Sequence, residues 1–243
     1  MSARSKMTGD LEHNLHSVQQ RIANAAALAG RNPNDIMLVA VSKTFPAESV
    51  LAAYGLGVKN FGENRVEESA EKIPQVNAQA SGVIWHGIGH LQSRKAKEAV
   101  RLFDFVQSVD SVALGERLSI QALALGKRLP ILLEVNVSGE PSKYGFASAP
   151  LQAFFAAVDK ILALPNLDVQ GLMTIAPIVA RAEDARPCFR TLRGLRDELS
   201  LQFPNRAWQH LSMGMSDDFE AAIVEGATIV RVGRALFGKR VQH

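Results

Sequence analysis

The sequence predicts an α/β fold, a single (β/α)8 barrel of TIM type with an extra helix at its N-terminus. Three observations carry the prediction. The chain has 243 residues, close to the roughly 250 that one such barrel uses. Short apolar, β-rich runs bounded by Gly, Pro or Asn alternate with segments of helical period along the chain, the pattern of a parallel sheet covered by helices. Eight such runs can be counted, the number that closes a barrel. An open doubly wound sheet shares the alternation, but no second composition regime, linker, low-complexity block or repeat divides the chain.

The elements follow in order. The opening "MSARSKMTGD" is short, polar and basic with no apolar run after it, so no secretory signal is expected. Residues 1–9 read as a flexible tail and residues 10–243 as the barrel domain. From Asp10 to Gly30, Leu11, Leu15, Val18, Ile22, Ala25 and Ala26 recur at helical spacing, with Gly30 as C-cap. The eight strand runs are 36–42 (IMLVAVS), 58–63 (VKNFGE), 83–89 (VIWHGIG), 103–110 (FDFVQSVD), 130–138 (PILLEVNVS), 167–174 (LDVQGLMT), 207–214 (AWQHLSMG) and 228–233 (TIVRVG). Helical segments fall at 47–57, 93–103, 111–126, 149–164, 184–203 and 217–227.

Composition narrows the function classes. The chain is 47% apolar and 21% charged, as soluble globular proteins are, and no apolar stretch approaches the roughly 20 residues that span a bilayer; a cytoplasmic protein is expected. The single cysteine, Cys188, falls among the apolar positions of an amphipathic helix and reads as packing. A net charge of +3, with basic residues scattered among acids and only two Tyr and two Trp, does not favour nucleic acid. A basic pocket for a small anion explains the same balance.

In a (β/α)8 barrel, functional groups lie at the C-terminal strand ends and in the loops that follow. Strand one ends in Ser42 and Lys43, strand two in Glu63, Asn64 and Arg65, strand five in Asn136 and Ser138, and strand six in Met173 and Thr174. Ser212 ends strand seven, with Gly214 and Ser216 following, and Arg231 lies on strand eight, followed by Gly233 and Arg234. Polar groups thus converge on one rim. Lys43 closes "LVAVSKTFP", a run that otherwise reads as a buried strand. It either snorkels into solvent or, desolvated in the mouth, offers a neutral amine for attack on a carbonyl.

The loop in "HLSMGMSDDFEAAI" presents backbone N–H groups and hydroxyls to an anion, or is simply a capping turn. Met213 and Met215 read as packing residues whose backbone N–H groups remain candidates. Gly233 adds a position where backbone can approach a ligand closely. Arg231, two residues earlier, shares its face and points into the barrel, toward a ligand nitrogen, a carboxylate, or an internal ion pair with Glu134 or Glu63. His86 and His90 lack the third ligand of a metal site; no metal is expected, and His86 reads as a core histidine.

A strand-one lysine, a Ser-Gly loop after strand seven and Arg-x-Gly on strand eight together resemble a fold-type III pyridoxal phosphate barrel, the alanine racemase N-terminal-domain type. More narrowly, "LVAVSKTFP", "NFGENRVEE", "WHGIGHLQSRK", "LEVNVSGEPSKYGF", "GLMTIAP", "HLSMGMSDDFEAAI" and "VRVGRALFG" are similar to the YggS/PROSC family of pyridoxal phosphate homeostasis proteins. The resemblance implies pyridoxal 5′-phosphate as cofactor, held as a Schiff base on Lys43. It places Asn64 beside the ring, Arg231 facing the pyridine nitrogen, and Ser212 or Ser216, with the amides of Gly233 and Arg234, on the phosphate; Met173 and Met213 complete the cofactor-binding positions.

The implied role is buffering, sequestration or delivery of the cofactor, with PLP-dependent apo-enzymes as possible recipients and little or no turnover. An arginine opposite the ring nitrogen makes the cofactor a weaker electron sink. The chain also ends about ten residues after strand eight, without the β-domain that supplies the racemases' tyrosine. A racemase-like enzyme, a Schiff-base aldolase and a partner- or RNA-binding module are the rivals, and a monomer is expected. Two positions depart from the family pattern: Ser93 and Arg94 stand where an Asn before the Lys is usual. Arg234 stands where a small hydroxyl residue is common, and either reaches the phosphate or faces solvent.

Overall fold

The computed structural model describes residues 3–238. Its strands are β1 (Met37–Val41), β2 (Asn60–Glu63), β3 (Ile84–Gly87), β4 (Phe105–Val109), β5 (Leu129–Asn136), β6 (Phe146–Ala147), β7 (Leu167–Met173), β8 (His210–Ser212) and β9 (Ile229–Val232). Eight of them form the closed parallel barrel, in the order β4-β3-β2-β1-β9-β8-β7-β5, with β4 pairing β5 to close it. The eight runs expected from sequence are these strands, most of them shorter than the apolar run that contains them. The two-residue β6 pairs with the end of β5, Val135 opposite Phe146, and stands outside the ring.

The helices are α1 (Ala3–Leu28), α2 (Ala47–Gly55), α3 (Val66–Asn77), α4 (Ala96–Leu102), α5 (Val112–Ala124), α6 (Leu151–Leu162), α7 (Arg186–Gln202), α8 (Phe219–Val224) and α9 (Arg234–Phe237). The extra N-terminal helix begins at Ala3 rather than Asp10, since Ala, Arg, Lys and Met before Gly9 all favour helix; residues 1 and 2 of the expected tail lie outside the described residues. Arg21 of α1 pairs with Glu220 of α8 at 2.6 Å, and the Asn14 amide donates to Leu236 O at 3.1 Å, so α1 is fastened to the last two helices. Helix α3 fills the stretch between β2 and β3, where the sequence pattern singled out no segment by name. Its Pro74 sits in the last turn, where the proline removes one helix hydrogen bond and leaves the amphipathic face of Val66, Ser69, Ile73 and Val76 buried. No helix among the described residues is long and apolar enough to cross a membrane.

Two cores follow from side-chain alternation along the strands. Outward-facing residues such as Phe61, Trp85, Val106, Leu133 and Val230 pack under the helices. Inside the barrel, Val39, Phe105, Leu132, Met173 and Ile229 form a separate buried cluster with Met37 packed against it. The register Val39 opposite Arg231 then puts Arg231 on the inner wall, one layer nearer the mouth than Ile229. The same reasoning carries Glu134, two residues beyond Leu132, into the mouth.

Candidate functional site

Arg231 organises the upper barrel. It is 4% exposed; Nη1 donates to Ser212 Oγ at 2.6 Å and Nη2 to Thr174 O at 2.8 Å. No ion pair joins it to Glu134 or Glu63 among the described residues; Glu63 is paired with Lys72 instead. Burial lowers the guanidinium pKa to about 10, with the charges of Glu134 and Asp218 opposing the shift, so it stays protonated at neutral pH.

Because arginine can only donate, it fixes the proton order of a chain that crosses the mouth. Ser212 Oγ accepts from Arg231 and therefore donates to Gln107 Oε1, at 2.6 Å. The Gln107 amide then turns its Nε2 to His86 Nδ1, 3.0 Å away, and His86 Nε2 donates to Asn60 Oδ1, also at 3.0 Å. His86 is thus the core histidine the sequence suggested. Burial drops its pKa to about 3, in keeping with a ring that must accept at Nδ1.

The loop after β8 is held from below. Gly214 has φ +92°, and a Cβ there would lie 2.6 Å from Ala222 Cβ and 2.8 Å from Phe219 Cα, so only glycine fits. Asp218 Oδ1 accepts the Met215 N–H at 2.6 Å and ties the loop to the start of α8. The Arg231 N–H donates to Gly214 O. Backbone N–H groups of a strand alternate in direction, so the Gly233 N–H, two residues on, points toward this same loop. Ser216 Oγ accepts from the Ala235 N–H at 3.2 Å, joining the two loops at the rim.

The candidates separate accordingly. Ser216 is half-buried at the rim, whereas Ser212 is fully buried with its hydroxyl committed to Arg231 and Gln107. Ser216 is therefore the hydroxyl placed for an anion. Met213 does not belong in that set: its N–H donates to Ile229 O at 3.1 Å and its side chain lies in the outer core. Met173 is fully buried in the interior cluster, and its main chain is in register with Glu134 and Ser212. The Arg234 side chain is exposed and pairs with Asp217, the solvent-facing alternative; its N–H remains at the first turn of α9.

Lys43 is half-buried just beyond the end of β1, the strand that pairs directly with the Arg231 strand β9. Asn64 follows β2, and Gly89 presses against its backbone so closely that a Cβ there would lie 2.8 Å from Asn64 Cα. Glu134 is 5% exposed and its Oε2 has no hydrogen-bond partner among the described residues. Burial foremost, with the charge of Asp110, raises its pKa to about 7 against the pull of Arg231. Beside the mouth, the His90 ring stacks on Tyr144 at 3.5 Å and its Nδ1 lies 3.0 Å from Asp110 Oδ2. Asn136 shapes the loop after β5, donating to Glu140 O at 2.8 Å and accepting from Ser138 Oγ and the Gly139 N–H.

Gln107 and Glu134 are the mouth residues that sequence reasoning did not name as candidates for binding. The signal for Gln107 was present: a lone amide inside the apolar "FDFVQSVD" run, in phase with the inward-facing Phe105.

Chemically, the mouth offers a lysine at the end of β1, a donor-only guanidinium on the neighbouring β9, and a cup of N–H groups and one hydroxyl between the last two strand ends. A group with an aldehyde, a ring acceptor and a phosphate fits that donor set. Two of the five N–H donors of Arg231 are committed to protein acceptors, which leaves others for an acceptor in the mouth.

The family model of the alanine racemase N-terminal domain matches residues 10–241. Proteins named pyridoxal phosphate homeostasis protein match nearly full length. That of Pseudomonas aeruginosa is 44% identical over 230 residues, 95% of this chain and 96% of the relative. That of Aquifex aeolicus is 43% identical over 226 residues, 93% and 96% of the two chains. Among solved structures, PipY of Synechococcus elongatus with PLP bound superimposes with TM-score 0.78 at 39% identity, covering 89% of this chain and 100% of that one. An alanine racemase of Clostridium difficile shares the fold, with TM-score 0.71 at 17% identity over 96% of this chain and 60% of its own.

Proposed function

The chain belongs to the pyridoxal phosphate homeostasis proteins of the alanine racemase N-terminal domain family, and from that premise we propose that it binds pyridoxal 5′-phosphate and serves its homeostasis. Lys43 holds the cofactor as a reversible Schiff base. Ser216 and the N–H groups of Gly233 and Arg234 take the phosphate, Asn64 lies beside the ring, and Arg231 donates to the ring nitrogen. The cofactor supplies an aldehyde that condenses reversibly with a primary amine, so the protein grips it covalently and can still release it. Delivery to PLP-dependent apo-enzymes is the use this reversibility suits.

The observation that carries the reading is Arg231: buried, protonated, and held on the inner wall by acceptors that leave it only donors to present. An arginine neither takes the proton of a pyridinium nor stabilises one, which favours holding over carbanion chemistry. The names of the relatives, homeostasis proteins rather than enzymes, agree with that.

The test is the absorbance spectrum of the purified protein with pyridoxal phosphate, before and after borohydride reduction, followed by mapping of the modified peptide. The expected result is a visible band lost on reduction and an adduct on Lys43, with neither in Lys43→Ala. A Lys43→Ala protein that keeps the band and the adduct overturns the assignment.

A further inference from the structure

Lys43 stands on a turn whose two flanking residues are gripped by side chains of β2 and α3. Ser42 Oγ donates to Glu63 Oε1 at 2.7 Å. Lys72 Nζ donates to the same Oε1 at 2.7 Å, to Ser42 O at 2.8 Å and to Glu68 Oε1 at 3.0 Å. Glu68 Oε1 in turn accepts the Thr44 N–H at 2.5 Å. One residue before the lysine and one after it are therefore tied to a single charged cluster, in which Glu63 is fully buried and Lys72 is 5% exposed.

Two features show that this cluster does more than fill space. Thr44 has φ +68°, the only positive φ among the described non-glycine residues, and a β-branched residue in the left-handed region persists only where its surroundings over-determine it. The Glu68 carboxylate on its N–H is such a restraint. Second, a buried ion pair is a poor source of stability, because desolvating both charges offsets their attraction, and apolar residues of the same volume would serve as well or better. What a network of this kind supplies is one conformation out of several. Here the conformation is that of the turn at 42–44, closed by the Phe45 N–H on Ser42 O at 3.0 Å.

We propose that the Glu63, Lys72 and Glu68 cluster is a positioning device for Lys43, with Lys72 and Glu68 setting the turn that aims its amine at the aldehyde of the cofactor. The strand ends at Val41, so strand alternation no longer dictates where Lys43 points; the turn does. The inference rests on the reading of Lys43 as the attachment residue, and the cluster acts through Lys43 without touching the cofactor.

The experiment compares wild type, Glu68→Ala and Glu68→Gln. Glu68 is partly exposed, with a side-chain exposure of 27%, and its removal leaves the buried Glu63–Lys72 pair intact, so the variant folds. The rate of attachment at saturating pyridoxal phosphate is followed by stopped-flow absorbance, the adduct is mapped after borohydride, and protection by inorganic phosphate is read as a thermal shift. Glu68→Ala should attach the cofactor at Lys43 about tenfold more slowly or worse, with the phosphate-induced shift unchanged. Glu68→Gln, which keeps an oxygen acceptor for Thr44 and Lys72, should recover most of the rate. A folded Glu68→Ala that attaches at the wild-type rate overturns the positioning role while leaving the functional reading intact, and so does a slow variant that also loses phosphate protection, since that reports general loosening. A wild-type adduct mapped to any residue other than Lys43 overturns both.

Discussion

Replacing Glu134 by glutamine should stabilise the protein, and only above the range where carboxylic acids normally ionise. In the folded state burial raises the Glu134 pKa from the ordinary 4.5 to about 7. The folded state therefore holds its proton over a window in which the unfolded chain has already lost it. With fewer protons on the unfolded side, stability falls as pH rises through that window. The full effect is present below pH 4.5 and has gone once pH exceeds 7. Each pKa unit is worth about 1.4 kcal/mol, so the shift corresponds to about 3 kcal/mol of stability lost between those limits. Glutamine is near-isosteric and does not titrate. Denaturant unfolding of the two proteins at pH 4.5, 6 and 8.5 should give nearly equal midpoints at the lowest pH and an advantage of about 3 kcal/mol for Glu134→Gln at the highest. Parallel pH profiles with a constant offset would refute the reasoning, because they would mean the carboxyl is hydrated or fully paired by Arg231.

Gln107→Leu breaks the chain from Arg231 to His86 in the middle, leaving the Ser212 hydroxyl hydrogen without an acceptor and His86 Nδ1 without a donor; it should cost about 1–3 kcal/mol in chemical denaturation, the penalty of stranded buried polar groups, and weaken cofactor binding. Gly214→Ala drives a Cβ into Ala222 and Phe219 at a backbone angle that disfavours any side chain; a loss of about 1–3 kcal/mol is expected, together with a loss of the thermal shift induced by phosphate. A variant with wild-type stability would show that the loop relocates freely.

The barrel was legible because its strands are buried on both faces, which writes each as a short apolar run. What such a run does not mark is its own limits: "AWQHLSMG" covers eight residues, yet only His210–Ser212 pair as β8, because Trp208 belongs to the outer packing beside Phe203. Lys43 and Arg231 could be picked out because each is a polar residue near the C-terminal end of an apolar run, and Ser216 because it lies in the serine-glycine loop that follows one. Their surroundings could not. Ser212 and Gln107 are 105 positions apart in the chain, and nothing local to "FVQSV" says that its amide will meet a serine from the other side of the ring. Lys72 was hidden differently. It lies in a charge-rich stretch that the sequence did not single out as a helix, and only the folding of α3 beside β2 buries it on Glu63.

The upper barrel's polarity depends on the apolar floor beneath it. Val39, Phe105, Leu132, Met173 and Ile229 keep water from reaching Arg231 from below, so the few protein acceptors on the guanidinium matter more than they would in solvent. Those acceptors come with a direction. The hydroxyl hydrogen of Ser212 points away from Arg231, toward Gln107, because the guanidinium cannot accept it, and the same order is enforced as far as Asn60. A ring nitrogen brought against Arg231 therefore meets only donors. If it carried a proton, two donors would oppose each other, so the unprotonated ring is the form this wall selects. In the proposed reading, that preference is written into five strands at once. Reversing it takes more than replacing Arg231 by an acidic residue: Ser212, Gln107 and His86 would each have to turn their hydrogen bonds around, and His86 would need the other tautomer.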